Sequence, residues 1–287
     1  MQPMRSLELI AALLCLCFAN CAEANEFDPE VGKSFRIVRI AESESKRGDG
    51  GSGTTYDRDT LMERVISVRD DGLELEYDIP PSAKGEERAG NWQFPARVFK
   101  PLSGPTQLLN TTELETRLGS WLTKAGWDLS VCGKWIFTWN AFHIDCEPLS
   151  VLKMIAAFDL RLESLRAGAP YRDDAASAPA PLVQLAHSSD GSKLVAKLEV
   201  DPEFVRRAAA EVDVVVAEIY GRTLSLEDAQ LQHAADKVSG TMVVTFETDA
   251  SGQVKLRKTV TTIETVDRKG QKETRKTTET VERQRVY

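Results

Sequence analysis

The stretch LMERVISVRDDGLELEYDI, residues 61–79, decides the fold of this chain. Two runs in which apolar and polar residues alternate lie on either side of an Asp71-Gly72 step. Alternation with period two is typical of a half-buried strand, and Asp-Gly between two such runs is a strong hairpin signal. We therefore predict an antiparallel hairpin with one face on a core. Its second strand would bury Leu73, Leu75, Tyr77 and Ile79 and turn Glu74, Glu76 and Asp78 toward water.

Similar patterns predict strands at both ends of the chain. The N-terminal region, residues 25–105, includes SFRIVRIA, in which Phe35, Ile37 and Arg39 share one face. The C-terminal region, residues 182–287, has hairpin signals at Asp190-Gly191 and at Ser251-Gly252. We expect antiparallel strands in both regions because short turns connect neighbouring strands only in that arrangement.

The middle region, residues 106–172, changes to the period of a helix. Thr112 followed by Glu115 is a capping-box pattern, and Gly126 is a typical helix end. A second helix is predicted from Ser150 through Leu165, and residues 173–181 (DDAASAPAP) form a predicted linker. The apolar face of the first helix is predicted to comprise Leu114, Leu118, Trp121, Leu122 and Ala125.

Two more helices are predicted among the C-terminal strands. Asp201-Pro202 is a typical helix start, and Ser225 with Asp228 predicts another helix that ends at Gly240. The expected apolar face of the first of these helices comprises Phe204, Ala208, Val212, Val215 and Ile219. Runs of strands separated from runs of helices indicate the α+β class. We predict one globular unit with a curved, half-barrel-like antiparallel sheet and helices on one face.

Residues 1–24 predict export from the cytoplasm. Arg5 precedes an apolar run at residues 9–18, and Ala22-Glu23-Ala24 has small residues where a signal peptidase cleaves. The run is too short to cross a bilayer. The sequence has no second long apolar run, so we predict no transmembrane segment. A lipid anchor at Cys21 is disfavoured because Asn20 stands where lipoprotein processing requires a small residue. The predicted location is the periplasm or the extracellular space.

Cys132 and Cys146 are the two cysteines beyond the signal, and in an oxidising compartment we expect them to pair. The pair would close a hairpin with the sequence CGKWIFTWNAFHIDC. Two interpretations of its aromatic residues remain open: they bind a ligand or partner, or they form core between the flanking helices. The candidate ligand-binding residues are Trp135, Phe137, Trp139 and Phe142.

Composition and motifs exclude several function classes. The net charge of −8 disfavours nucleic acid and anionic membranes as partners. The three histidines have no metal-ligand spacing, and there is no G-x-S-x-G motif. His143 with Asp145, and His187 with Asp190, have catalytic residue types without a nucleophile in a recognisable arrangement. We therefore predict no catalytic residues, no metal site and no cofactor.

The threonine-rich segment 259–287 allows two interpretations. It could be a hairpin arm that offers an edge to an envelope protein partner by strand addition. Alternatively, it is an edge strand of the main sheet that lysines and arginines keep from aggregating.

The export signal, the hairpins at Asp71-Gly72 and Ser251-Gly252 and the interposed helices together resemble bacterial envelope proteins of the lipoprotein-carrier type. That resemblance implies a half-open β-barrel whose concave side is plugged by helices. It leads us to expect a non-enzymatic protein that binds an apolar ligand, such as a lipid acyl chain, in this concavity. The alternatives are an interaction or assembly module and, third, an exported hydrolase.

Overall fold

A computed structural model describes residues 31–137, 141–161 and 165–286, without the side chains of residues 136, 137, 141 and 142. The predicted signal peptide and Cys21 lie outside the described residues. None of the described helices is long and apolar enough to span a membrane.

The described chain forms a ten-stranded antiparallel sheet, two short strand pairs and five helices. The strands are β1 (Ser34–Arg47), β2 (Ser52–Arg69), β3 (Gly72–Asp78), β4 (Ala96–Pro101), β5 (Gln107–Leu108), β6 (Trp135–Phe137), β7 (Ala141–His143), β8 (Pro170–Tyr171), β9 (Ala180–Pro181), β10 (Val183–Ser188), β11 (Gly191–Glu199), β12 (Lys237–Thr248), β13 (Val254–Val266) and β14 (Lys272–Val286). The helices are α1 (Glu86–Gly90), α2 (Thr111–Ala125), α3 (Val151–Phe158), α4 (Pro202–Ile219) and α5 (Leu226–His233).

The large sheet has the order β10-β11-β12-β13-β14-β1-β2-β3-β4-β5, and β6-β7 and β8-β9 pair separately. One face of the sheet carries the core, in which side chains of α2 and α3 pack on residues from β1 to β4 and from β11 to β14. The sheet is open, with β10 and β5 at its edges. The predicted α+β class is confirmed.

The hairpin that opened the sequence analysis is confirmed as β2 and β3, which meet at the pair Arg69 and Gly72. The predicted stripe is buried, from Leu75 at 0% exposure to Leu73 at 8%. The prediction for Glu74 was wrong, because its side chain is only 9% exposed and pairs with Arg69 and Arg97. Charged neighbours therefore cover this acid on the face that the pattern assigned to water.

Helix α2 ends where predicted, but it begins at Thr111 with Asn110 as its N-cap, so Thr112 lies inside the helix and the predicted capping box is wrong. Helix α3 is shorter than predicted. The cap of α2 is Gly126, in the left-handed conformation at φ 70°. Helix α3 ends at Phe158 because Asp159 is extended and its carboxylate accepts a hydrogen bond from the Arg161 backbone N–H. The predicted continuation to Leu165 is therefore wrong at Asp159.

The C-terminal segment is neither an arm nor an edge, so both interpretations of it were wrong. Strand β14 pairs with β13 on one side and with β1 on the other. Its N-terminal partner runs from Ser34 opposite Val286 to Arg47 opposite Glu273. The charged and threonine side chains of β14 thus lie in the middle of the sheet.

Helix α4 begins where predicted, with the Asp201 carboxylate accepting a hydrogen bond from the Glu203 N–H. Its packing differs from the prediction, because Phe204 and Val212 of the expected buried face are 43% and 60% exposed. The fully buried residues of α4 are Ala210 and Ala217. Helix α5 is capped by Ser225 as predicted but ends at His233, since β12 already begins at Lys237.

Candidate recognition surface and basic cavity

The disulfide between Cys132 and Cys146 is confirmed, with the two Cα atoms 5.4 Å apart. It joins the two ends of the β6–β7 hairpin, in which Trp135 lies opposite His143. Val131 and Cys146 pack against the core at the base of this hairpin. The disulfide thus fixes the hairpin base to the folded body.

Of the four predicted aromatic residues, the structure describes the side chain of Trp135. It is half-buried, and its ring centroid lies 5.5 Å from that of His143. Phe137 and Phe142 lie in the paired strands β6 and β7. Trp139 lies outside the described residues. The role of these four residues in ligand binding stays a prediction.

The hairpin lies beside α4. The backbone N–H of Trp135 donates to Oε1 of Glu218 at 3.3 Å. Two residues before Glu218 in the sequence, Val216 is 39% exposed. Two residues after it, Tyr220, which directly follows the helix, is 72% exposed. Sequence reasoning found both the hairpin and the apolar pattern of α4, but it did not place them next to each other.

The exposed apolar residues of α4 form a continuous stripe. Val212, Val216 and Tyr220 are four residues apart, so they lie on one side of a helix. Single exposed apolar residues are common, whereas a contiguous exposed patch usually marks an interaction site. We call Val212, Val216 and Tyr220 together the α4–hairpin surface, since the hairpin contacts the same helix at Glu218.

Polar contacts connect α4 to α5 and to the start of β12. His233 Nε2 lies 2.9 Å from Asp213 on α4, and its Nδ1 lies 2.7 Å from Asp236. Burial by itself would lower the pKa of His233, but its hydrogen bonds to Asp236 and Asp213 raise that pKa above its usual value. Arg206 also donates to the Asp236 carbonyl at 3.2 Å.

A buried ion cluster lies on the core face of the sheet. Glu63 Oε1 accepts from Arg161 at 2.7 Å and from Arg283 at 2.6 Å, and its Oε2 accepts from the Tyr77 hydroxyl at 2.8 Å. Burial would raise the pKa of Glu63, but Arg161 and Arg283 lower it to about 2. Glu63 is therefore ionised over the physiological range.

A cavity of about 220 Å³ adjoins this cluster. We call it the basic cavity because five cationic side chains line it, with Asp249 as the acidic lining residue. Its apolar wall consists of Phe35, Val65 and Val254. The cations are Lys33, Arg161, Lys255, Arg283 and Arg285.

Sequence reasoning missed this cluster, although β2 contained a signal for it. Leu61, Glu63 and Val65 share one face of the predicted strand, so Glu63 interrupts an apolar stripe. A buried carboxylate needs a cationic or hydrogen-bonding partner. The sequence did not show which cations supply it, because Arg161 and Arg283 are 98 and 220 residues away.

A second cavity of about 540 Å³ has walls of mixed polarity. They include Glu199, Glu264 and hydroxyl side chains of β12, β13 and β14, such as Thr241, Thr262 and Thr274. Neither this cavity nor the basic cavity has the mostly apolar walls that a buried acyl chain needs. An apolar ligand in the concavity is therefore not supported by these two cavities.

The pairs His143–Asp145 and His187–Asp190, which have catalytic residue types, do not form catalytic triads among the described residues. His187 Nδ1 lies 2.8 Å from Oγ of Ser192 at an exposed hairpin end. Asp145 accepts a hydrogen bond from the Glu147 backbone N–H. Across the described ranges, no cluster of three or more His, Cys, Asp or Glu residues could hold a metal ion.

Comparisons with known proteins identify no family. No family model matches this chain, and no curated protein matches it. A solved structure on lipid–protein interactions in lipovitellin matches 88% of this chain at 10% identity and a TM-score of 0.41. This chain spans about a quarter of that lipovitellin chain, since the match covers 25% of it.

Ail, the attachment invasion locus protein of Yersinia pestis, matches 88% of this chain and 99% of its own at 5% identity. The TM-score of that match is 0.20. At these TM-scores neither likeness bears on function.

Proposed function

We propose that this chain is an exported, non-enzymatic binding protein that takes an apolar ligand, such as a lipid acyl chain, on its α4–hairpin surface. The observation that carries this proposal is the stripe Val212, Val216 and Tyr220, which is 60%, 39% and 72% exposed. Leaving so much apolar area in water is unfavourable, by roughly 25 cal/mol per Å². A ligand that covers the stripe would regain that free energy.

The dimensions of the stripe favour a chain-like ligand. Eight residues of helix separate Val212 from Tyr220, which at 1.5 Å per residue corresponds to about 12 Å. This matches an extended acyl chain of medium length.

The net charge of −8 favours an uncharged or zwitterionic ligand at this surface over an anionic membrane. An uncharged acyl ester is therefore the suitable probe.

Native mass spectrometry of the purified exported chain, with and without monolaurin, tests the proposal. We expect a discrete adduct that the double variant Val216→Ser with Tyr220→Ser binds at least about tenfold more weakly. The matched control is Leu102→Ser, since Leu102 is as exposed as Tyr220 at 72% but lies in the loop after β4. Equal binding by the double variant and the wild type would contradict the proposal.

A second candidate function, the interaction module, is favoured by strand β10. All six of its residues are exposed, with Val183 at 54% and Leu185 at 62%. Among the described strands, β10 pairs only with β11, so its other edge offers free backbone groups. The opposite edge strand, β5, has two residues. Long apolar edges are templates for strand addition, whereas very short edges are protected.

Light scattering after size exclusion tests this second function by measuring the mass of the chain over a range of concentrations. Strand addition between copies predicts a dimer, and Leu185→Lys should convert it to a monomer because a charge on the edge opposes pairing. A monomer at every concentration, with no partner captured by crosslinking at β10, would contradict it.

A further inference from the structure

We propose that His233, Asp213 and Asp236 form a pH-sensitive switch that holds α4 against α5 when the imidazole is protonated and loosens the two helices when it is neutral. We call these three residues the His233 switch. Its contacts lie within the chain and need no bound ligand. The switch is therefore independent of the function proposed above, although it acts on the helix that carries the α4–hairpin surface.

The geometry of the ring carries the first step. Nε2 lies 2.9 Å from a carboxylate oxygen of Asp213 on α4, and Nδ1 lies 2.7 Å from a carboxylate oxygen of Asp236. An ionised carboxylate only accepts hydrogen bonds, so both ring nitrogens must donate, which only the imidazolium can do. A neutral ring has a single N–H, and its other nitrogen would turn a lone pair toward a carboxylate. Loss of the proton therefore breaks one of the two links.

The other charged groups around the ring do not change charge in the same way. Arg206 of α4 donates to the Asp236 carbonyl at 3.2 Å. Arg268, in the turn between β13 and β14, donates to the Leu231 carbonyl of α5 at 2.7 Å and also to that of Gln232. Both arginines stay charged at every pH considered. Histidine is the side chain that titrates near neutral pH, so His233 is the sensitive member of this cluster.

The sign of the switch follows from its partners. Burial would lower the pKa of His233, but the hydrogen bonds to Asp236 and Asp213 raise that pKa above 6.5. The link is therefore complete below pH 6.5 and is lost as the pH rises through the folded pKa.

The packing between the helices leaves the switch room to act. The buried residues of α4 are Ala210 and Ala217, and the buried residue of α5 is Ala229. None of these alanines belongs to the core that α2 and α3 form with the sheet. Arg206, Ala210, Asp213 and Ala217 are four, three and four residues apart, so they share one side of α4. Because burial of a methyl group contributes little free energy, the polar contacts of this side matter more here than in α2.

The switch also affects the α4–hairpin surface, and this consequence rests on the function proposed above. At about 3.6 residues per turn, the centre of the exposed stripe lies roughly a quarter turn around α4 from the side that carries Asp213. The switch thus supports the helix without covering the stripe. A loosened helix must be ordered again when a ligand binds, which weakens the binding.

Hydrogen exchange of the purified exported chain between pH 5.5 and pH 8.5, expressed as protection factors, tests the switch. In the wild type we expect the protection factors of α4 and α5 to fall together by about two- to fivefold over the pH range in which the His233 ring titrates by NMR, while those of α2 stay constant. His233→Gln should remove the pH dependence. Asp213→Asn should lower the pH at which the ring titrates, because it removes one of the two acids that favour the imidazolium.

The matched control is His187→Gln, since His187 is an exposed histidine in β10 whose Nδ1 lies 2.8 Å from the Ser192 hydroxyl. This variant should keep the pH dependence of the wild type. Protection factors of α4 and α5 that do not change with pH in the wild type would overturn the switch. An equal change in His233→Gln would also overturn it.

Native mass spectrometry with monolaurin at the same two pH values tests the consequence for binding. We expect the wild type, but not His233→Gln, to bind monolaurin about two- to fivefold more weakly at pH 8.5 than at pH 5.5. Equal binding by the wild type at both pH values would overturn this consequence. No binding at either pH would contradict the function proposed above, while the exchange data decide the switch separately.

Discussion

Helices α2 and α4 have the same kind of sequence pattern and opposite surroundings. In α2, the apolar residues Leu114, Leu118 and Leu122 are 0%, 6% and 4% exposed. In α4, Val212 and Val216 of a comparable pattern face water. The comparison teaches that helical periodicity predicts a helix and an apolar face, but not whether the folded chain itself covers that face.

The two regions are also held by different interactions. Helices α2 and α3 contribute large side chains to the core, and the segment after α3 adds the buried pair Arg161–Glu63. Helices α4 and α5 are held by small buried alanines and by polar contacts of His233. We therefore expect stability to depend on the first region and binding to depend on the second.

The largest effect should come from Glu63→Gln. Removing this carboxylate leaves Arg161 and Arg283 buried without their counter-charge, which costs about 3 to 5 kcal/mol. Urea unfolding of the variant measures the loss. Glu211→Gln is the control, because Glu211 forms an exposed pair with Arg207 on α4 and should change stability by less than about 0.5 kcal/mol. A Glu63 variant as stable as this control would contradict the role of Glu63 as the buried counter-charge of Arg161 and Arg283.

The same group gives the wild type a pH dependence. The folded pKa of Glu63 is about 2, below its ordinary value of 4.5. Its contribution is therefore complete above pH 4.5 and lost as the pH falls through the folded pKa, on the order of 3 kcal/mol in total. Urea unfolding between pH 2 and pH 5 should show a smaller pH dependence in Glu63→Gln than in the wild type. Equal slopes would show that other carboxylates cause the acid sensitivity.

The next largest effect is an expected difference in stability between a substitution in α2 and one in α4. Leu114→Ala should destabilise the chain by about 3 kcal/mol, because it removes a fully buried side chain and leaves a cavity. Val212→Ala on α4 should change stability by less than about 0.5 kcal/mol, since Val212 is 60% exposed. Thermal and urea unfolding measure both. Similar losses in the two variants would mean that α4 is packed more tightly than the structure shows.

The smallest effect concerns His233, which joins α5 to α4. Because its folded pKa is raised above 6.5, the stabilisation by Asp236 and Asp213 is complete below pH 6.5 and is lost as the pH rises through the folded pKa. We expect about 0.5 to 1 kcal/mol, measured as lower protection factors in α5 at high pH, after correction for the base-catalysed intrinsic exchange of amides. His233→Gln should remove this pH dependence of the protection factors. If the protection factors of α5 in the wild type are equal below and above the folded pKa of His233, the ion contacts do not hold it.

The sequence predicted the features that depend on residues close together in the chain, and it missed those that depend on residues far apart in the chain. The β2–β3 hairpin, α2 and the Cys132–Cys146 pair depend on local patterns, and each is confirmed. The place of β14 depends on β1, whose residue Ser34 pairs with Val286 at the other end of the chain. No local pattern contains that information, and so the tail was misplaced as an arm or an edge.

The candidate sites show the same limit. Phe204 and Val212 were predicted to pack inward because an apolar face normally finds a core, and nothing local shows that α4 packs instead through Ala210 and Ala217. Glu63 did give a local sign, as a charge within an apolar stripe. Its partners come from remote segments, so the basic cavity could not be assembled from the sequence.

Hydrogen exchange of the wild-type chain with and without monolaurin tests the central claim, that the exposed stripe of α4 is a recognition surface. Binding there predicts slower exchange in residues 212–220, with unchanged exchange in α2. Protection that is absent from α4, or that occurs in α2 and the core of the sheet instead, would contradict the claim.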